Sequence, residues 1–152
     1  MTYSEFVIAL DQGTTSSRSL LFDTAFCIRG QSQIEINRFV PQAGWVEHDP
    51  EEIWQTTLKT ARIAIQNGCV KSSQIAALGI SNQRETTVIW HRQSGQVLYN
   101  AIGWQDRRTA AHCANLKRQG LEPTLTKKTG LLLDPYFSAT KVSWILDSVE
   151  GA

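Results

Sequence analysis

Asp11-Gln12-Gly13-Thr14-Thr15-Ser16-Ser17-Arg18 gathers more chemistry than any other stretch of the sequence. A carboxylate, a glycine, a run of hydroxyls and a guanidinium stand between two apolar runs, Phe6-Val7-Ile8-Ala9-Leu10 and Leu20-Leu21-Phe22. Apolar runs this short, bounded by turn residues, fit buried strands, so the stretch is predicted to be the Gly-containing loop of a β-hairpin. Gly13 lets the backbone approach a ligand closely. Exposed backbone N–H groups and the hydroxyls of Thr14, Thr15, Ser16 and Ser17 can donate to phosphate oxygens. Arg18 offers a planar, permanently charged donor for a phosphoryl group, and Asp11 can hold Mg2+ directly or through water. The GxxxxGK[ST] spacing of a P-loop is absent. A polar hairpin turn whose hydroxyls cap their own backbone has the same composition, and the residues alone leave both readings open.

Arg84-Glu85 is the second candidate. A five-donor fork beside a strong acceptor suits a polyol, each of whose hydroxyls both donates and accepts. An exposed ion pair worth about 0–1 kcal/mol is the competing reading. Neighbours on a regular strand point to opposite faces, so only irregular backbone would turn both to one ligand. Trp104, beside Gly103, and Tyr136, after Asp134-Pro135, can lay aromatic faces along a carbon chain, with the tyrosine hydroxyl as a polar handle. Core packing is the commoner fate of such rings, and Trp45, Trp54, Trp90 and Trp144 are assigned to it. His48, His91 and His112 lack metal-ligand spacing and are taken as structural or exposed.

The elements that must position these groups follow from periodicity and punctuation. After Asp23 a third strand is expected, with Ile34 and Ile36 alternating with polar neighbours, giving an antiparallel meander. Pro41 to Trp45 is a loop. Asp49-Pro50-Glu51-Glu52 opens a helix: Asp49 as N-cap, Pro50 first, Glu52 closing a capping box. Trp54, Leu58, Ala61 and Ile65 recur at helical spacing and Gly68 ends the helix. Ile75-Ala76-Ala77-Leu78-Gly79-Ile80 is predicted as a buried strand, reached by a crossover and therefore parallel to a strand of the meander. Thr87-Val88-Ile89-Trp90 and Val97-Leu98-Tyr99 flank Ser94-Gly95 as a hairpin. A helix is expected from Asp106 to Gln119 with Gly120 at its end, and a last one is marked by Val142, Ile145, Leu146 and Val149.

At 152 residues the chain is long enough for one ordinary domain. A hydrophobic fraction of 41% and a charged fraction of 19% fit a globular protein rather than a disordered one. A net charge of +1 gives no reason to expect nucleic acid or a membrane surface as partner. Cys27, Cys69 and Cys113 are far apart, which speaks against a disulfide framework and for a reducing compartment. Met1-Thr2-Tyr3-Ser4-Glu5 lacks the basic-then-apolar start of a signal peptide, no apolar run has the length of a membrane span, and the cytoplasm is the expected location.

"ALDQGTTSSRSLLFD" resembles the first phosphate-binding loop of the actin-like ATPase superfamily, and within it that of the sugar and polyol kinases. "GWVEHDPEEIW", "ISNQRETTVIW", "YNAIGWQDRRTA" and "LLLDPYFSATKVSWIL" resemble the glycerol kinase family, in order and at family-like spacing from about Phe6 to Glu150. The resemblance implies an α/β, ribonuclease-H-like first domain, its mixed sheet carrying the meander and flanked by helices, with a sheet incomplete at the C-terminus. It implies ATP and Mg2+ as cofactors and glycerol as substrate. Thr14, Thr15, Ser16 and Arg18 match the phosphate site, with Asp11 toward the metal; Arg84, Glu85, Trp104 and Tyr136 match the glycerol site. Residues 1–152 are then the N-terminal part of that domain. The catalytic aspartate and the second, nucleotide-binding domain are expected downstream, the fragment alone is expected to be inactive, and the full-length protein is expected to form a homo-oligomer. Gly103 and Asp106 depart from the family pattern: Gly103 is expected to loosen the backbone under Trp104, and Asp106 to add a charge near the pocket or cap the following helix. A kinase for a related polyol or sugar, or a non-catalytic interaction module, stays open beside this reading.

Overall fold

The computed structural model describes residues 5–152; the residues 1–4 that bear on the absence of a signal peptide lie outside them. The chain forms two compact units, Met1–Asn37 with Glu51–Gln83, and Arg38–Pro50 with Arg84–Ala152.

The first unit is a four-stranded sheet in the order β3-β2-β1-β5, covered on one face by α1. The strands β1 (Phe6–Gln12), β2 (Ser16–Asp23) and β3 (Ile28–Glu35) form the expected antiparallel meander, and β5 (Ile75–Ser81) runs parallel to β1. Alternation fixes the inner face. Ile8 and Leu10 of β1 and Leu21 of β2 make the buried core, with Phe6, Ala61, Ile65, Val70 and Ile75 packed against it. α1 (Pro50–Asn67) begins at Pro50 as expected, while the Glu52 carboxylate accepts bonds from Asn37 N–H at 3.1 Å and Asn37 Nδ2 at 2.8 Å.

The face that α1 buries is only partly the one its apolar spacing suggests, with Ala61 and Ile65 against the core but Trp54 outside it. Thr60 and Ala64 are its buried residues, whereas Trp54, assigned to the core from sequence, is 56% exposed. Hydroxyls explain this. Ser17 Oγ lies 2.9 Å from Thr56 Oγ1 and 3.2 Å from Thr57 Oγ1, and Ser19 Oγ lies 2.9 Å from Thr60 Oγ1. Each buried hydroxyl has a partner, so the polar pairs pass between sheet and helix without an unmet desolvation cost. The approach is close: a Cβ on Gly68 would come within 2.6 Å of Leu21 Cδ2.

The predicted strand Ile75-Ala76-Ala77-Leu78-Gly79-Ile80 forms but is not buried. Ile75 alone of β5 is half-buried, while Leu78 and Ile80 are 54% and 70% exposed. Their partners in register, Ile8 and Leu10, belong to the core. The inner face therefore runs on to β5 past the cover that α1 gives.

In the second unit β4 (Glu47–His48) pairs antiparallel with β6 (Ala101–Ile102). The expected hairpin between Thr87 and Tyr99 carries a single isolated bridge among the described residues, Trp90 with Val97, and no ladder; Trp90 is 59% exposed rather than in the core. α2 (Ala110–Arg118) starts four residues later than expected, after a turn in which Asp106 Oδ1 accepts the Arg108 N–H at 2.8 Å, and Gly120 ends that segment at φ 75°. α3 (Glu122–Thr129) was not expected: Pro123 looks like a breaker but stands in the first turn, where its missing N–H costs nothing. α4 (Ser138–Ser148) buries Lys141 and Ile145; Val149 lies past its end in extended backbone, and Leu146 faces solvent.

Candidate functional site

The hydroxyl-rich loop sits in the first unit, between β1 and β2. Gly13 N–H donates to Ser16 O at 2.9 Å, and the Gly13 carbonyl accepts from Gln12 Nε2 and Gln83 Nε2, both at 2.9 Å. Gly13 therefore holds the turn itself, and its N–H is not available to a ligand. Thr15 is exposed, and its carbonyl accepts from Ile36 N–H at 3.0 Å. Ser16 opens β2 and its Oγ accepts from Gln33 Nε2 at 3.0 Å. Ser17 is buried against α1 and cannot reach a phosphate, because alternation along β2 sends it to the inner face. Arg18 and Asp11 are register partners across the hairpin, and Arg18 Nη2 donates to Asp11 Oδ2 at 3.1 Å. Both are about half exposed.

Arg84, Glu85, Trp104 and Tyr136 all lie in the second unit. The irregular backbone that Arg84-Glu85 needs is present: β5 has ended and Glu85 has φ 65°. Arg84 is exposed. Glu85 does not pair with it. Its Oε2 accepts from Ser138 N–H at 2.9 Å and Ser138 Oγ at 2.8 Å, at the N-terminal end of α4. That is where orphan N–H groups and the helix dipole favour a carboxylate. Tyr136 just precedes this helix, and Asp134 Oδ1 accepts its N–H at 2.8 Å. The Trp104 and Tyr136 rings meet edge-on, centroids 6.0 Å apart at 67°. Lys141 Nζ donates to the main-chain oxygens of Glu85 at 2.7 Å and Tyr136 at 2.8 Å.

Beside them lies a charge cluster that sequence reasoning missed. Arg108, its side chain 1% exposed, donates through Nη2 to Glu47 Oε1 at 2.7 Å and Asp106 Oδ2 at 2.9 Å, and through Nε to Asp106 Oδ1 at 2.9 Å. Glu47 also accepts from Tyr99 Oη at 2.7 Å and Asn100 Nδ2 at 2.9 Å. The guanidinium lies over Trp45 at 3.8 Å and near Trp144 at 4.4 Å, which gives those rings their packing role. Burial pushes the Glu47 carboxyl up, but the bonds from Tyr99, Asn100 and Arg108 and the Arg108 charge bring it below its ordinary value.

Asp106 thus neither caps α2 nor adds a free charge to a pocket; it holds Arg108 and the N–H of Val46 at 2.6 Å. Gly103 does not loosen Trp104 either. Its N–H donates to Val46 O at 2.9 Å, and an added Cβ would stand 3.2 Å from Val46 Cγ1. His48 is buried, and His91 and His112 are exposed.

Residues 6–152 match the N-terminal domain of the FGGY family of carbohydrate kinases. A glycerol kinase of Sinorhizobium fredii is 56% identical over 147 residues, which are 97% of this chain and 30% of that protein. One from Afipia carboxidovorans is 56% identical over the whole chain, again 30% of that protein. The chain thus spans about 30% of the length of the curated relatives it matches. The crystal structure of Plasmodium falciparum glycerol kinase with ADP superposes with a TM-score of 0.86 at 30% identity, covering 95% of this chain and 29% of that one. A gluconate kinase from Lactobacillus acidophilus superposes equally, at 0.86 and 21% identity with the same coverage, and speaks for the fold alone. The expected α/β, actin-like ATPase fold with a mixed sheet agrees with these sugar-kinase structures.

Proposed function

Because the chain belongs to the FGGY family of carbohydrate kinases, as its N-terminal domain, we propose that it supplies the polyol site and phosphate loop of an ATP-dependent glycerol kinase. The reaction is transfer of the γ-phosphoryl group to a terminal hydroxyl of glycerol, giving glycerol 3-phosphate. The observation that carries the choice of substrate is the seating of Glu85. A residue at φ 65° is held with its carboxylate on Ser138 and its carbonyl on the same ammonium that holds Tyr136. Glu85 then accepts from glycerol hydroxyls, exposed Arg84 donates to them, and Trp104 with Tyr136 walls the carbon chain and excludes water.

Phosphoryl transfer depends mostly on positioning and charge neutralisation. Thr14, Thr15 and Ser16 supply donors to the terminal phosphates, and Arg18 a matching charge. Mg2+ bound largely by phosphates needs only one or two protein carboxylates, and Asp11, engaged by Arg18 through Oδ2, fits that demand with its second oxygen. When bound, the metal neutralises phosphate charge.

The test uses a full-length kinase carrying this domain. Glu85→Gln keeps the shape and removes a charged acceptor, and hydrogen bonds to charged groups contribute about 1.5–3 kcal/mol. Glycerol affinity should therefore fall about tenfold or more by isothermal titration calorimetry. Unchanged affinity, or tighter binding of pentuloses than of glycerol, overturns the reading.

A further inference from the structure

Lys141 is the most deeply buried cation among the described residues, with 0% of its surface exposed. Its place is costly twice over. Burial disfavours the ammonium, and a cation in the first turns of a helix opposes the helix dipole; Lys141 lies on the fourth residue of α4. A leucine or methionine would fill the same volume without either cost. What the ammonium does there is bond two main-chain oxygens, those of Glu85 and Tyr136, from segments far apart in sequence. Three residues earlier, Ser138 holds the Glu85 carboxylate by its N–H and its hydroxyl. Both ends of Glu85 are thus gripped by the start of one helix.

The backbone shows why a grip is needed. Glu85 is one of three non-glycine residues with positive φ among those described. That conformation is strained for a residue with a side chain and persists only where its surroundings enforce it. Freed from Lys141, Glu85 would relax toward negative φ and carry its carboxylate away from the Tyr136 side. A lysine suits the task, since a compact ammonium with three rotatable donors can reach two carbonyls that a planar guanidinium would match poorly.

We propose that Lys141, with Ser138, is a positioning device that sets Glu85 and Tyr136 in register for a polyol substrate. The inference rests on the reading of those two residues as glycerol ligands. Lys141 touches no substrate; it acts through the two residues that do.

The experiment is steady-state kinetics of a full-length kinase carrying this domain, with Lys141→Met, Ser138→Ala, Glu85→Gln and the Lys141→Met/Glu85→Gln double variant. Lys141→Met is expected to raise the glycerol KM about tenfold, with the ATP KM unchanged and the thermal transition cooperative. Ser138→Ala, which keeps the N–H bond, is expected to raise the glycerol KM several-fold. Added to Glu85→Gln, Lys141→Met should raise the KM little further, because the group it positions is already gone. A Lys141→Met enzyme with parental glycerol KM overturns the proposal, as does one that loses glycerol and ATP kinetics alike, or full additivity in the double variant. If Lys141→Met does not fold, Ser138→Ala decides, and a parental glycerol KM there overturns the proposal. If Glu85→Gln itself leaves the glycerol KM unchanged, it is the glycerol reading that fails, and the positioning device falls with it.

Discussion

Single side chains set both the geometry and its response to pH. Burial lowers the Lys141 pKa to about 8, against the attraction of Glu85, Asp106 and Asp134 and with the repulsion of Arg108. An unfolded lysine titrates near ~10.4. Between about 8 and ~10.4 the unfolded chain binds the extra proton, so this group's contribution to stability rises with pH across that window. Over the same window the ammonium loses its charge and its hold on the Glu85 and Tyr136 carbonyls weakens. The parent should therefore gain stability relative to Lys141→Met as pH is raised through the window, while its glycerol KM climbs. Urea unfolding of both proteins across pH measures the first, and a stability difference that stays flat counts against a buried ammonium. Arg108 makes a simpler case. Its removal leaves Glu47 and Asp106 as buried charges without a cation, and breaking a buried pair this way costs about 3–5 kcal/mol. Arg108→Ala should lose that much by urea unfolding; a loss below about 1 kcal/mol would place the cluster with exposed pairs.

Elements meet here through small residues and hydroxyls, and that decides what the sequence reveals. Gly30 of β3 faces α1 so closely that a Cβ would collide with Ala64 O and stand 2.8 Å from Gly68 N. Both neighbours are backbone, so neither can step aside. Gly30→Ala should cost about 1–3 kcal/mol or more, whereas Gly79→Ala on β5, with nothing within 4 Å, should be neutral or slightly stabilising. Thermal unfolding of the two variants checks the contrast, and equal effects would mean that β3 and α1 are not in close contact. The meander, the crossover and the start of α1 were legible because hydrophobic runs and the Asp49-Pro50 signal are local. The buried face of α1 was legible only at Ala61 and Ile65, because Thr56, Thr57 and Thr60 pack by pairing with serines of β2, which apolar periodicity does not register. α3 escaped because Glu122–Thr129 has a single large apolar residue, Leu125. Motif resemblance singled out Arg84, Glu85, Trp104 and Tyr136, which the fold places in one unit. The Arg108 cluster was not legible, since Glu47 and Arg108 meet only in the fold.

At the scale of the whole chain, the hydroxyl-rich loop after β1 lies in one unit and Arg84, Glu85, Trp104 and Tyr136 in the other. The first unit carries a liability of its own. β5 ends the sheet order, paired with β1 on one side only. An open edge strand is a template for another chain, and natural edges are usually blunted by charge, proline or brevity. β5 has none of these: its seven residues, Ile75-Ala76-Ala77-Leu78-Gly79-Ile80-Ser81, carry no charge and no proline. Leu78 and Ile80 extend the inner apolar face into solvent. Edge pairing and apolar burial both favour a second strand there, so the 152-residue polypeptide on its own should self-associate. Light scattering behind size-exclusion chromatography, across a concentration series, should show a mean mass that rises with concentration. Leu78→Lys with Ile80→Lys places two charges on that face, which antagonises stacking and pairing alike, and should return the polypeptide to a monomer with its β1–β3 meander intact by circular dichroism. A parent that stays monomeric throughout, or a doubly substituted chain that associates as strongly as the parent, would show that β5 is not the surface responsible.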